Sequence, residues 1–269
     1  MTSTSIWEIE SLVRLKDKLR SILTDRGIQN QDSDNLNTLV EKVNQINNDT
    51  ILNQMLSEGV ENYYNDKITK LVPYALAYSK NITESIELPN VTESGTYAFY
   101  YSGAKIIKLP KLYRSEANLF SRSSVEELYL NNAAIMDSQS YTYLTQLRKL
   151  YAPRIGLMFN AFSTETAKLT HICYRNGTSN KDFSSSEKLE MMIITQKSAV
   201  SPFSYANYIP KKALTDGNCY IYVPSALLEN YKTATNISVY ADRIRAIEDY
   251  MTEICAEFPD FEEDYAKIE

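Results

Sequence analysis

One histidine, three cysteines and seven glycines bound the chemistry open to this chain of 269 residues. His171 is the sole histidine, which excludes two-histidine zinc motifs and leaves one candidate base for any Ser/His or Cys/His pair. It stands between Thr170 and Ile172 with no partner set around it and reads as a structural histidine. Cys173, two residues on, shares its side of a strand without completing a triad. Cys173, Cys219 and Cys255 are odd in number and far apart, which fits neither a zinc ribbon nor a disulfide framework. No two glycines come closer than Gly95 and Gly103, so neither a P-loop nor a dinucleotide fingerprint is present. The adjacent Glu126 and Glu127 face opposite sides of a strand, and nothing selects the two carboxylates a glycosidase needs. The expectation is a non-enzyme with no catalytic residue, no cofactor and no metal.

The side chains best placed to meet a ligand are Lys108, Tyr129 and Tyr151. They belong to a series, Glu87, Lys108, Tyr129, Tyr151, Cys173 and Ile193, in which each residue sits between two apolar positions of a short strand. Neighbouring strands would set these side by side, and Tyr129 beside Tyr151 would form an exposed aromatic pair able to stack on a sugar. The other reading is a packed tyrosine ladder that only stiffens the sheet.

An internal repeat must position that series. Phe99, Phe120, Tyr141, Phe162 and Phe183 are separated by 21 residues at every step, and Phe203 misses the next step by one. Ile86, Ile107, Leu128, Leu150, Ile172 and Met192 run beside them at spacings of 21, 21, 22, 22 and 20. Two residues after these come Leu88, Leu109, Leu130, Ala152, Tyr174 and Ile194. Apolar ladders held in phase over five or six turns predict a solenoid of about six coils, each returning the chain about 4.8 Å along the axis. Pro89, Pro110 and Pro153 are expected to stop the strands.

The flanks read as helical. Leu12, Leu15, Leu19 and Ile22 are spaced 3, 4 and 3, and Leu36, Leu39, Val43 and Ile46 repeat that spacing, which predicts a helical hairpin capped at Asp32-Ser33-Asp34. So small a hairpin has little core, so it is expected to pack against copies of itself or a partner, or else to dock on its own chain. At the other end, Ile244, Ile247, Met251, Ile254 and Phe258 predict a helix ended by Pro259. Residues 248–269 carry nine acidic side chains against Lys267, a net −8, while the rest of the chain is +2. That acidity reads as a solvated helix end or as a contact with a basic neighbour. The expected class is α+β, divided into a helical anchoring segment over 1–65, a repeat domain over 66–224, and a closing segment with acidic helix over 225–269.

Composition narrows the classes further. The chain is 43% apolar, 11% aromatic and 23% charged, with 28 Lys and Arg against 34 Asp and Glu. A net charge of −6 argues against nucleic acid as partner. No run approaches the ~20 apolar residues of a membrane helix. The start, Met1 to Glu10, has no basic region and no long apolar run, so no signal peptide is expected.

Ile86-Glu-Leu-Pro-Asn-Val-Thr-Glu-Ser-Gly-Thr-Tyr-Ala-Phe99 resembles a unit of the BspA-like leucine-rich repeats, and Ile221 to Ile244 resembles the segment that closes such arrays. The resemblance spans roughly residues 68–247. It departs at the turn glycine, kept only as Gly95, and at the usual closing tryptophan, here Ile237. The resemblance implies a leucine-rich-repeat-like solenoid. With a helical hairpin in front, such arrays look like phage structural proteins: tail, tail-fibre, baseplate or head-fibre components. It implies a virion location, assembly as a homo-oligomer (a trimer by analogy) with other virion proteins, and in some cases attachment to a host-surface glycan or protein. The rival reading is a bacterial repeat adhesin or scaffold.

Overall fold

Ile86, Ile107, Leu128, Leu150, Ile172, Met192, Ile221 and Ile244 lie in register on neighbouring parallel strands of the computed structural model. Seven of the eight have no exposed surface and Ile244 has 3%. The structure describes residues 61–136, 139–157, 168–177, 186–198 and 209–268, with positions 13, 16, 17, 20, 21, 23, 31, 33–35, 38 and 39 of the N-terminal region. The chain divides into two compact units, Met1–Glu58 and Gly59–Glu269.

In the larger unit each winding returns the backbone to a parallel strand beside the previous one. These strands are β1 (Asn62–Tyr64), β3 (Ser85–Glu87), β5 (Ile106–Lys108), β7 (Glu127–Tyr129), β9 (Lys149–Leu157), β10 (His171–Gly177), β11 (Met191–Ile194), β12 (Tyr220–Val223) and β13 (Ile244–Ala246). They form one nine-stranded sheet in that order. A second, four-stranded parallel sheet is built from two-residue strands β2 (Lys70–Leu71), β4 (Glu93–Ser94), β6 (Arg114–Ser115) and β8 (Ile135–Met136). The aromatic series fills the interior: Phe99 stacks on Phe120 at 5.4 Å, and Phe120 on Tyr141 at 6.2 Å. Phe162, Phe183 and Phe203 lie outside the described residues. Gly95 is required where windings touch, because a Cβ there would meet the Pro73 nitrogen at 2.6 Å.

Among the described residues of this unit, helices are few and short: α1 (Lys211–Thr215), α2 (Leu228–Thr233), α3 (Met251–Glu257) and α4 (Phe261–Ala266). The α+β expectation, a helical hairpin followed by a leucine-rich-repeat-like solenoid and an acidic C-terminal helix, is therefore corrected to an α/β arrangement dominated by a parallel sheet. Three local reasons account for the difference. First, the small second sheet had no periodic signal, since two-residue strands leave none. Second, Pro153 does not stop β9. The strand runs through it, and the pairing with β10 slips between Ala152–Tyr174 and Gly156–Asn176, because a proline has no N–H to give the ladder. Third, the stripe from Ile244 to Phe258 is not one helix. Ile244 and Ala246 pair with Ile221 and Val223, residues 247–250 form a 3-10 turn, and only Met251–Glu257 is α-helical.

In the N-terminal unit the backbone is helical at positions 13, 16, 17, 20, 21 and 23 and at 38 and 39. Leu23 and Leu39 are fully buried. The second helical stretch is capped by Asn35, whose side chain accepts from the Thr38 N–H at 2.9 Å, in place of the expected Asp32-Ser33-Asp34. Of the expected anchoring residues, Leu39 is described; Leu12, Leu15, Leu19, Ile22, Leu36, Val43 and Ile46 lie outside the described residues.

Candidate functional site: a groove where the C-terminal cover stops

The series Glu87, Lys108, Tyr129, Tyr151, Cys173 and Ile193 is in register as one column, continued by Tyr222 and Arg245. Its two halves meet different surroundings. From Tyr151 onward the column lies beneath the C-terminal segment: Ile247, Ile254, Phe258, Phe261, Tyr265 and Ile268 form one buried cluster with Tyr151, Cys173, Ile193 and Tyr222. The spacings of those six residues are 7, 4, 3, 4 and 3. The stripe thus does not end at Pro259 but continues on the second helix, at spacings that are legible in the sequence.

The acidic side chains of this segment fasten it to the sheet. Glu257 pairs with Lys149 at 2.6 Å and lies 3.6 Å from His171 Nε2. Glu253 accepts from the Tyr222 hydroxyl at 2.5 Å, while Glu248 accepts from the Tyr265 hydroxyl at 2.9 Å within the segment itself. Asp264 accepts from the Tyr151 hydroxyl at 2.8 Å and from Asn131 Nδ2 at 2.9 Å. The acidity of the tail is therefore spent largely on contacts within the chain. Burial raises the Asp264 carboxyl above its ordinary range despite those two donors. The Lys149 ammonium holds Glu257 below its own. Burial depresses His171, which leaves its imidazole neutral at pH 7, and raises the thiol of Cys173, which keeps it from the thiolate form.

The expected exposed pair is corrected at Tyr151. That ring is 1% exposed, stacked under Phe258 at 5.1 Å, because the segment that covers it is more than a hundred residues away in sequence. Tyr129 remains at the edge of the cover, tilted 48° to Tyr151 at 6.3 Å. Its hydroxyl donates to Glu127 at 2.9 Å.

Beyond that edge the column is open, and a groove of about 450 Å³ follows it. It is lined by Glu87, Lys108, Glu127, Tyr129 and Asn131 from the windings and by Phe258, Pro259 and Asp260 from the C-terminal segment, with Tyr151 beneath Phe258. The Lys108 ammonium stands 3.8 Å from Glu87 and 6.0 Å from the Tyr129 ring. Asn131 bridges Asp260 and Asp264 through one amide nitrogen. All three expected ligand-facing residues thus border one cavity, Tyr151 from beneath. Glu127, Asn131 and Asp260 join them, and sequence reasoning placed none of the three at a ligand site. Glu126 and Glu127 are both held by Arg148, at 3.1 and 3.2 Å, as a structural clamp.

The lining offers a half-buried aromatic ring, one ammonium, three carboxylates and an amide, a set that can hydrogen-bond a hydroxyl-rich ligand and orient it. Among the described residues that line it there is no histidine, cysteine or serine. Among the described residues no group of three or more His, Cys, Asp or Glu side chains is arranged to hold a metal, and no helix is long and apolar enough to cross a membrane. No protein-family model matches the chain, and no curated protein matches it.

Proposed function

We propose that this chain is a non-enzymatic structural protein of a phage particle, an appendage of tail, baseplate or capsid surface that is anchored by its N-terminal segment and displays its sheet. The observation that carries the reading is the half-covered face. The protein's own C-terminal segment seals the column from Tyr151 onward with an apolar cluster, while the same column is left open at Glu87, Lys108 and Tyr129. A parallel sheet sealed on one half of a face and grooved on the other suits a body that holds a surface in place. The sequence resemblance over residues 68–247 supports the particle context, the virion location and self-assembly through residues 1–65 as a homo-oligomer.

Mass spectrometry of purified particles from a host carrying the gene tests the location. Peptides of this chain at stoichiometric levels are expected, and their absence from intact particles would overturn the proposal. For the oligomer, size-exclusion with light scattering should give a multiple of the 30.8 kDa chain mass at micromolar concentration. A monomer there would sink it.

The groove favours a second reading, a receptor-binding module for a host-surface glycan or protein. Replacing Lys108 and Tyr129 together by Ala should abolish adsorption to host cells while leaving the circular dichroism spectrum unchanged. Unaltered adsorption would remove the groove from the account.

A further inference from the structure

Between each strand of the small sheet and the next strand of the large one the backbone enters the left-handed region twice. One set of positions is Tyr74, Tyr97, Asn118 and Gln139, the other Tyr78, Tyr101, Arg122 and Tyr143, with φ between 53° and 67°. Asparagine tolerates this conformation and glycine prefers it, whereas a bulky side chain is strained there. Asn118 shows that the turn itself does not call for an aromatic. Five of the eight positions nevertheless hold tyrosine. Core burial is not the reason either, since Tyr74, Tyr78 and Tyr143 are 53%, 57% and 48% exposed.

The rings are ordered by one another. Tyr74 stacks on Tyr97 at 5.2 Å and Tyr78 on Tyr101 at 5.6 Å, each pair within 11° of parallel. Tyr100 wedges edge-on against Tyr78, Tyr97 and Tyr101. The Arg122 guanidinium extends the second stack, 5.8 Å from the Tyr101 ring and 4.6 Å from Tyr143, and donates to the Tyr101 hydroxyl at 3.0 Å. Backbone hydrogen bonds from Tyr74, Tyr78 and Tyr101 to the following winding lock the spacing. None of these residues lines the groove.

We infer that this turn edge, carrying Tyr74, Tyr78, Tyr97, Tyr101, Arg122 and Tyr143, is a binding surface for a linear glycan laid along the windings, one sugar ring to each. Three arguments select that occupant. The surface repeats at ring separations of 5.2 to 5.6 Å, close to the strand spacing of about 4.8 Å, which suits a polymer of pyranose rings. It presents phenol hydroxyls and ring edges, groups that hydrogen-bond and pack against sugars, on side chains whose rotamers are already fixed by stacking. Among the described residues its stacks carry a single cation, Arg122, where a nucleic acid would need several. The inference holds whether or not the chain belongs to a particle.

The test uses the full chain and calorimetric titration with β-1,4-linked glucose and β-1,4-linked N-acetylglucosamine oligomers of two to six residues. At least one series should bind, with affinity rising up to four residues and then levelling, since the longer stack has four members. The double variant Tyr78→Asn/Tyr101→Asn should weaken that binding by about tenfold or more through lost hydroxyl contacts. Its melting temperature should be unchanged or raised, because asparagine relieves the backbone. The Tyr113→Ala variant, at an exposed tyrosine outside both the stacks and the groove, should bind these oligomers as the parent does. Absence of binding to both series, indifference to length, or a double variant that binds normally or melts lower would each overturn the assignment. Loss of binding in Tyr129→Ala alone would move the glycan to the groove.

Discussion

His171 shows at residue scale how the cover and the sheet depend on each other. Its ring is 9% exposed, accepts or donates at Thr170 Oγ1 over 2.8 Å, and meets Phe258 edge-on at 6.4 Å. Burial lowers its affinity for a proton, opposed by Glu257 and Glu190 and assisted by Lys149 and Arg148. The unfolded chain then binds the proton first. Stability is full above the ordinary histidine value of 6.5 and falls as pH drops from there through the lowered folded-state value. The sole histidine of the chain makes this testable. Urea midpoints measured between pH 8 and 5 should decline with acidification, and the decline should vanish in His171→Gln. Phe258 is the larger contributor, stacked on Tyr151 and 1% exposed. Phe258→Ala should cost about 3 to 5 kcal/mol in equilibrium unfolding. It should also free the Tyr151 ring to solvent, read as increased quenching of tyrosine fluorescence.

Elements in this fold depend on neighbours rather than on intrinsic propensity. A three-residue strand such as Glu127–Tyr129 has no stability alone; it is held by β5 on one side and β9 on the other. Leu128→Ala in that strand should cost about 2 to 5 kcal/mol and lower the melting temperature of the larger unit as a whole. The helices α3 and α4 likewise gain their order from the sheet, since neither reaches the length at which an isolated helix is stable in water. Removing residues 248–269 should expose Tyr151, Cys173, Ile193 and Tyr222 together. The expected result is dye-binding apolar surface and aggregation, measured by fluorescence of a hydrophobic probe and light scattering. A truncated chain that stays soluble and binds no dye would refute the role of cover.

The molecule as a whole divides between residues 58 and 59, and each unit has its own internal packing. A chain beginning at residue 59 should therefore melt in one cooperative transition close to that of the full chain, checked by calorimetry. Within the larger unit, a single face of the sheet does two jobs along its length. The end near β13 is closed by the chain's own tail, and the end near β3 is left open as the groove.

The repeat was legible because each ladder residue meets its counterpart one winding later, a separation of about 21 residues that a single chain displays directly, as in Ile86, Ile107 and Leu128. Which residues share the column of Lys108, Tyr129 and Tyr151 was legible for the same reason. What covers that column was not. Tyr151 and Asp264 are 113 positions apart and Lys149 and Glu257 are 108, and no periodicity links them. The small sheet was equally silent, because strands of two residues carry no alternation. Local spacing decides what stacks on what within the array, since every winding repeats the same contact. Only folding back of the tail decides which half of the face is core and which half is groove, because that contact is made once and between residues of unrelated spacing.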